Sequence, residues 1–439
     1  MFESSLSGLS GSELDKSLQS IYANQRNRIA QFLKLPPGAA VILCPSGSDA
    51  EYIPVAIAKA LAGKEVSNAQ IKNGVTQFNE IGAGTAPAAI GKYFSTHAPL
   101  LGKLDEEITH LKGFEELDGP VISARSRDGK VLDAAGEMKT FTEDSMEKGF
   151  YPIVHGVFGG KTGVRDTVMP PSLGSAASQS LGVVDACQGR FSEAEMQEWM
   201  EQESLVLFTS SKFYQAPPFC GAVLVPPSIA QKLSLSETYV PSEMMSPKGL
   251  GGFMTEKELP ECLSSWASFL AKEDTNNVGL ALRWEAGLAG MEATSSLDDG
   301  ARDAIVKEWT GKVTNKVKEA SNIDVFSVQR SIISIRIKKA SGDWLNMKEA
   351  RELYRWMSMD LGGFPDALPE DKEALSQVAY IGQPVDVSDE FAIVRIALGA
   401  ESLLSFSDDK DKTLAEDELA VKKLSAIGKN FDNLQKSGL

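Results

Sequence analysis

Two apolar runs in the middle of the chain each stop abruptly at residues able to do chemistry. The run LGVV ends at Asp185-Ala186-Cys187-Gln188, and the run VLFT ends at Ser210-Ser211-Lys212. In an open parallel sheet, functional groups stand just past the carboxyl ends of strands. An acid, an amide, two hydroxyls and a lysine would then converge on one crevice. A lysine amine attacks a carbonyl carbon once burial or a neighbouring cation lowers its pKa from about 10.4. A carboxylate, with a usual pKa of about 3.9, is ionised at neutral pH and pairs with a protonated ring nitrogen.

Those two capacities are what pyridoxal phosphate demands. Its aldehyde is held by a lysine as a Schiff base, and a carboxylate keeps its ring nitrogen protonated, which makes the ring an electron sink. Taken singly, Asp185 reads as a loop cap and Lys212 as a surface charge, since ion pairs and caps are common. Taken together they favour the cofactor. A further segment fits an anion. The strand-like AAVILC leads through Pro45-Ser46-Gly47-Ser48-Asp49 into the helical EYIPVAIAKALAG. A Gly/Ser loop entering a helix offers backbone N–H groups and a helix dipole to a phosphate, and equally makes an ordinary helix cap.

These segments resemble the class V aminotransferase and cysteine desulfurase branch of fold type I pyridoxal-phosphate enzymes, which carries a D-A-x-Q element followed by Ser-Lys or His-Lys. The resemblance implies that Asp185 pairs with the ring nitrogen, that Gln188 bonds the ring hydroxyl and that Lys212 forms the Schiff base, with Ser210 and Ser211 beside it. The loop resembles the family's S-G-[TS]-x-A element, which implies that Gly47 and Ser48 contact the cofactor phosphate, chiefly through backbone. Thr275-Asn276-Asn277 resembles a Thr-x-Asn helix start whose Thr reaches the phosphate of a partner subunit. The resemblance therefore implies a homodimer with shared active sites, completed by Thr275. Arg395, mid-strand in AIVRIALGAES, occupies the place of an arginine that binds the α-carboxylate of the amino acid. The residues alone leave two readings there, a structural ion pair or a carboxylate fork.

The chain also departs from the family. The ring-stacking His is replaced by Ile81 and Gly82, and Gly159 and Gly160 stand where a substrate-contacting Asn is usual. His155, on the strand YPIVHGVF, is either a satisfied core histidine or a substrate contact. No Cys follows Cys262, which argues against a desulfurase with its nucleophilic Cys.

The elements that must position these residues are readable from periodicity. Residues 12–34 carry Leu14, Leu18, Ile21, Tyr22, Ile29 and Phe32 on one helical face. The resemblance implies that this N-terminal helix (1–35) packs on the small domain. Residues 36–300 alternate strands and helices as a large cofactor-binding domain, and 301–439 read as a smaller α+β domain. The fold expected is α/β: a mainly parallel seven-stranded sheet plus a C-terminal α+β unit. Asp128-Gly129 between apolar runs predicts a β-hairpin over 119–135. SEMMSPKGLGGFMTEK lacks a period and is expected to be a loop, and the resemblance implies that it crosses to a partner subunit.

Composition narrows the partners. At 439 residues the chain can bury the cores of two domains. Its net charge of −16 argues against nucleic acid and anionic membrane. No apolar run approaches the roughly 18 residues of a membrane span, and the first residues lack the pattern of a signal peptide. The four cysteines and three histidines have no metal spacing, so no metal is expected and a reducing, cytoplasmic location is. The function expected is a pyridoxal-phosphate enzyme acting on an amino acid or amine as a small-molecule substrate, an aminotransferase first. A lyase performing elimination, C–S cleavage or decarboxylation is the alternative, and a non-catalytic binding protein of the same fold the second.

Overall fold

Tyr151–Val157 (β4), Leu181–Asp185 (β5) and Ser204–Thr209 (β6) carry Val, Ile and Leu at successive rather than alternate positions. That is the pattern of strands covered on both faces, and every residue of β5 and β6 is buried. The computed structural model describes residues 9, 11–77, 85–92, 110–124, 126, 132–160, 179–270, 277–388 and 390–438. In it these strands form the centre of a seven-stranded sheet with Ala40–Cys44 (β1), Ile71–Gln77 (β2), Val121–Ser123 (β3) and Gly221–Val225 (β7). The order is β1-β7-β6-β5-β4-β2-β3. Only β7 runs against its neighbours β1 and β6. The carboxyl ends of β1, β4, β5 and β6 therefore open on the same edge.

One face of the sheet packs on the helix Tyr52–Ala62, with Ile53 and Ile57 against Val183, Leu205 and Leu207. The other packs on the helix Val278–Ala293, with Trp284 and Leu288 against Val184, Val206 and Phe208. The N-terminal helix, Gly11–Phe32, also belongs here and not on the small domain as its sequence suggested. Its buried stripe includes polar atoms that find partners on the helix Val278–Ala293. Tyr22 Oη donates to Asn277 O at 2.6 Å, and Gln25 Nε2 donates to Ala281 O at 2.8 Å. Arg28 bridges Glu285 and Glu292 at 2.9 and 2.7 Å. Hydrophobic periodicity marks a buried stripe and is silent about which surface buries it.

The second sheet is antiparallel throughout: Gly382–Asp386 (β10), Ala392–Ala397 (β11), Ile332–Ile337 (β9) and Ile323–Gln329 (β8), in that order. Helices Asp299–Glu319, Met347–Met357 and Lys410–Lys429 join its core. Two further expectations change. The first arm of the expected hairpin is instead β3, an edge strand parallel to β2, and the turn at Asp128-Gly129 lies outside the described residues. The Met-rich stretch is no crossing loop. Met244, Met245, Leu250, Phe253 and Met254 are buried in the chain's own core beside the helix Tyr52–Ala62. Among the described residues no helix is long and apolar enough to cross a membrane.

Candidate functional site

The turn after β5 is built by the residues it displays. Asp185 is 9% exposed, and its Oδ1 accepts the Cys187 N–H at 3.0 Å. Gly189 closes the turn by donating to Ala186 O at 2.9 Å with a φ of +67°, a conformation that favours glycine. Gln188 sits half-buried at the tip. On the neighbouring strand, Thr209 Oγ1 accepts the Ser211 N–H at 2.9 Å and lies 2.5 Å from Ser211 Oγ. That small hydroxyl knot turns the backbone and leaves Lys212 exposed at the crevice.

The loop after β1 reaches the same place. A Cβ on Gly47 would lie 2.9 Å from Cys187 Sγ and 3.4 Å from Thr209 Cγ2. Only a residue without a side chain lets this backbone approach both turns so closely. Ser46 caps the short helix, its Oγ accepting the Asp49 N–H at 3.1 Å, and Ser48 is half-buried beside it. Burial pushes the Asp49 carboxyl up to about 7, against the lowering effect of Ser46, so the loop carries less negative charge than its sequence suggests. The Cys187 thiol is raised well above its ordinary value by burial and by Asp185, which makes it inert filler.

Two expected site residues lie beneath the crevice. Ser210 is fully buried, with its Oγ 3.0 Å from Cys220 Sγ and against the backbone of Gly287. His155 is also fully buried, and its Nε2 lies 2.8 Å from Oε2 of Glu51. Burial alone would lower the imidazole's pKa, but the Glu51 carboxylate more than offsets it, so the net shift is upward and the pair is ionic. These placements correct the expectation that Ser210 touches cofactor and that His155 touches substrate. The parallel register puts His155 opposite Val183 and Val157 opposite Asp185, so His155 stands one step behind Asp185 on the same face. Glu51 was not singled out from sequence, because nothing in a helix-opening glutamate announces a partner on a strand.

Arg395 lies on β11 opposite Ser334 and Gly382. It is half-buried, and its Nη2 donates to Gln383 O at 3.3 Å. A Cβ on Gly382 would stand 2.8 Å from Arg395 Nε, so the glycine makes room for the guanidinium. Arg190, two residues after Gln188, is a second cation that sequence reading overlooked. Its Nη1 reaches across to Leu398 O at 2.6 Å and to Ser331 Oγ. An arginine just past an apolar strand end was the signal available for it. Thr275, Ile81 and Gly82 lie outside the described residues. The structure thus brings Gly47, Asp185, Gln188, Ser211 and Lys212 to one sheet edge, with Arg190 reaching from there to the strand that carries Arg395.

No protein-family model matches this sequence, and no curated protein matches it. Solved structures do match its architecture. An alanine–glyoxylate aminotransferase from Nostoc sp. aligns over 92% of this chain and 86% of its own, with TM-score 0.56 and 11% identity. The glutamate decarboxylase domain of a diaminobutyrate–pyruvate transaminase and L-2,4-diaminobutyrate decarboxylase from Vibrio parahaemolyticus aligns over 94% and 75%, with TM-score 0.54 and 11% identity. The Oryza sativa TDC, crystallised with PLP and tryptamine, aligns over 92% and 77%, with TM-score 0.51 and 13% identity. The chain has the architecture of the fold type I pyridoxal-phosphate enzymes. At these identities the likeness concerns the fold.

Proposed function

We propose that this chain is a pyridoxal-phosphate enzyme acting on an amino acid, and that its reaction is transamination. One observation carries the reading: a carboxylate, an amide, a lysine and a side-chain-free loop backbone meet at one edge of a sheet of this architecture. The donor set fits the cofactor. The loop at Gly47 and Ser48 would offer backbone N–H groups to its phosphate, and Asp185, anchored by the Cys187 N–H, would be the counter-charge for its ring nitrogen. When bound, the cofactor supplies an aldehyde and an electron-withdrawing ring.

The chain's own residues do the rest. Lys212 would hold the cofactor, and its Nζ would move the proton at the substrate Cα as general base and general acid. Asp185 would keep the ring nitrogen protonated, so that the cationic ring takes up the negative charge developing at the substrate Cα. Gln188 would bond the ring hydroxyl, and Arg395 would fix the α-carboxylate and so the orientation of the breaking bond. Lyase chemistry is the second reading. It is favoured by Gly159 and Gly160, which offer no side-chain clamp after β4, and by the decarboxylase among the structural neighbours. We also propose a cytoplasmic homodimer. Exposed Phe219 and Leu282, joined through the bond from Arg283 Nε to Phe219 O, would supply apolar contact surface.

The test is the absorbance spectrum of the purified protein, with and without a panel of amino acids, beside Lys212→Ala. A visible band that requires Lys212 supports the cofactor, and its loss on adding an amino acid, with release of the matching oxo acid, supports transamination. A persistent band with release of ammonia, sulfide or carbon dioxide selects the lyase. No band even with added cofactor defeats the reading.

A further inference from the structure

The two turns of the crevice are each held by their own bonds. Asp185 Oδ1 accepts the Cys187 N–H, and Thr209 Oγ1 accepts the Ser211 N–H. Neither bond reaches Arg395, which lies on β11 in the other sheet. Its distance from the crevice depends on how the two sheets are joined, and Arg190 is placed to join them. Arg190 follows the Gly189 that closes the Gln188 turn, and its guanidinium lies 5.2 Å from the centroid of the Phe213 ring, the residue after Lys212. From there a single nitrogen, Nη1, donates to Leu398 O at 2.6 Å and to Ser331 Oγ.

Those acceptors mark the paired ends of the two central strands of the second sheet. Ser331 precedes β9, Leu398 follows β11, and the Leu398 N–H donates to Ser331 O at 2.9 Å. Three residues inward on the same ladder, Arg395 pairs with Ser334. At about 3.4 Å per residue, the gripped end lies roughly 10 Å along the strand from the Arg395 backbone. The guanidinium of Arg395 is near enough for its like charge, after burial, to lower the Arg190 pKa, to about 9. The neighbouring Arg330 ties the same turn to the large unit through Glu195 at 2.5 Å. Arg190 itself lines a small cavity of about 60 Å³ with Tyr214, Asp299, Arg302 and Asp303, none of them a crevice residue. Whatever it does for the site, it does through the segments it grips.

We propose that Arg190 is a positioning residue: by gripping the paired ends of β9 and β11 from the lysine side of the crevice, it sets where Arg395 presents its guanidinium to the substrate α-carboxylate. The inference rests on the function proposed above, in which Arg395 holds that carboxylate. A planar guanidinium fixes direction as well as distance, which a flexible ammonium does not. A shift of about 1 Å in a positioning group is enough to spoil a productive geometry.

Calorimetric titration of the full chain, with pyridoxal phosphate present and sodium propionate as an unreactive carboxylate, tests this. Arg190→Gln should weaken propionate about tenfold and leave the Lys212-dependent absorbance band in place, because the crevice turns hold themselves. Ser331→Ala removes one acceptor only and is the milder change for folding; it should weaken propionate in the same direction by less. Arg190→Lys should recover part of the loss. In an Arg395→Lys background, which keeps a cation but not the fork, Arg190→Gln should lose most of its effect, a coupling that general loosening of the fold does not produce. Weakening by the same factor in both backgrounds, unchanged propionate affinity in Arg190→Gln and Ser331→Ala, or no propionate binding by the unaltered protein overturns the proposal. The band is read separately. Coupling without the band keeps the role of Arg190 and rejects the cofactor, whereas the band without the coupling rejects only the role of Arg190.

Discussion

The imidazole of His155 and the carboxylate of Glu51 are each 1% exposed and meet at 2.8 Å. Because Glu51 raises the folded pKa of the histidine above its ordinary 6.5, the pair stabilises the fold fully below about pH 6.5. That contribution is lost as pH rises through the raised folded value. Glu51→Gln should cost about 3–5 kcal/mol at pH 6 by leaving a buried histidine without its counter-charge. It should also flatten the dependence of stability on pH above about 6.5. Urea midpoints across that range check both effects; an unchanged pH slope would mean that the pair is not ionic. At this scale Asp185, Gln188 and Lys212 were readable because they interrupt apolar runs at strand ends. Glu51 and Arg190 were not, because each is defined by a partner far along the chain. Ser210 was grouped with the crevice by adjacency in sequence, although successive strand and turn residues point in different directions.

Among the elements, the helix Lys410–Lys429 carries the most demanding internal group. Lys423 is fully buried and its ammonium donates to Met357 O at 2.9 Å, to Met359 O at 2.6 Å and to Gln377 O. Burial lowers its pKa to about 8, with Asp360 opposing. One side chain thus ties the end of the helix Met347–Met357 to the segment that leads into β10. Lys423→Ala should destabilise the protein by roughly 3 kcal/mol or more, since three carbonyls lose their donor. Lys423→Met, which restores volume but not hydrogen bonds, should recover only part of that. Denaturant midpoints of the two variants separate packing from hydrogen bonding. Strands β4 to β7 and the three long C-terminal helices followed from local pattern. The packing of the N-terminal helix and the parallel pairing of β3 did not, because each is decided by which surface is available.

At the scale of the whole molecule, the homodimer proposed above is open to a direct test. The apolar Phe219 and Leu282 stand 49% and 47% exposed near the start of the helix Val278–Ala293, which Thr275 precedes. Sedimentation velocity should show a dimer, and replacing Leu282 and Phe219 by Lys should shift it toward monomer with loss of activity. A monomer with full activity would remove Thr275 from the site. The two-sheet division was readable because helix and strand periods change after residue 300. How the two units share a core was not, since Phe213 and Leu398 come from distant parts of the chain.

The lysine turn and the C-terminal unit are also fastened directly. Ala400 N donates to Phe213 O at 2.7 Å, and Glu401 N donates to Gln215 Oε1 at 2.9 Å across 186 residues of sequence. Gly399 lacks the Cβ that would strike Gln215. The C-terminal unit is consequently not a freely exchangeable module. A chimera that imports this unit from another protein of the same fold must import residues 213–216 with it, or the graft will dislodge the turn that presents Lys212.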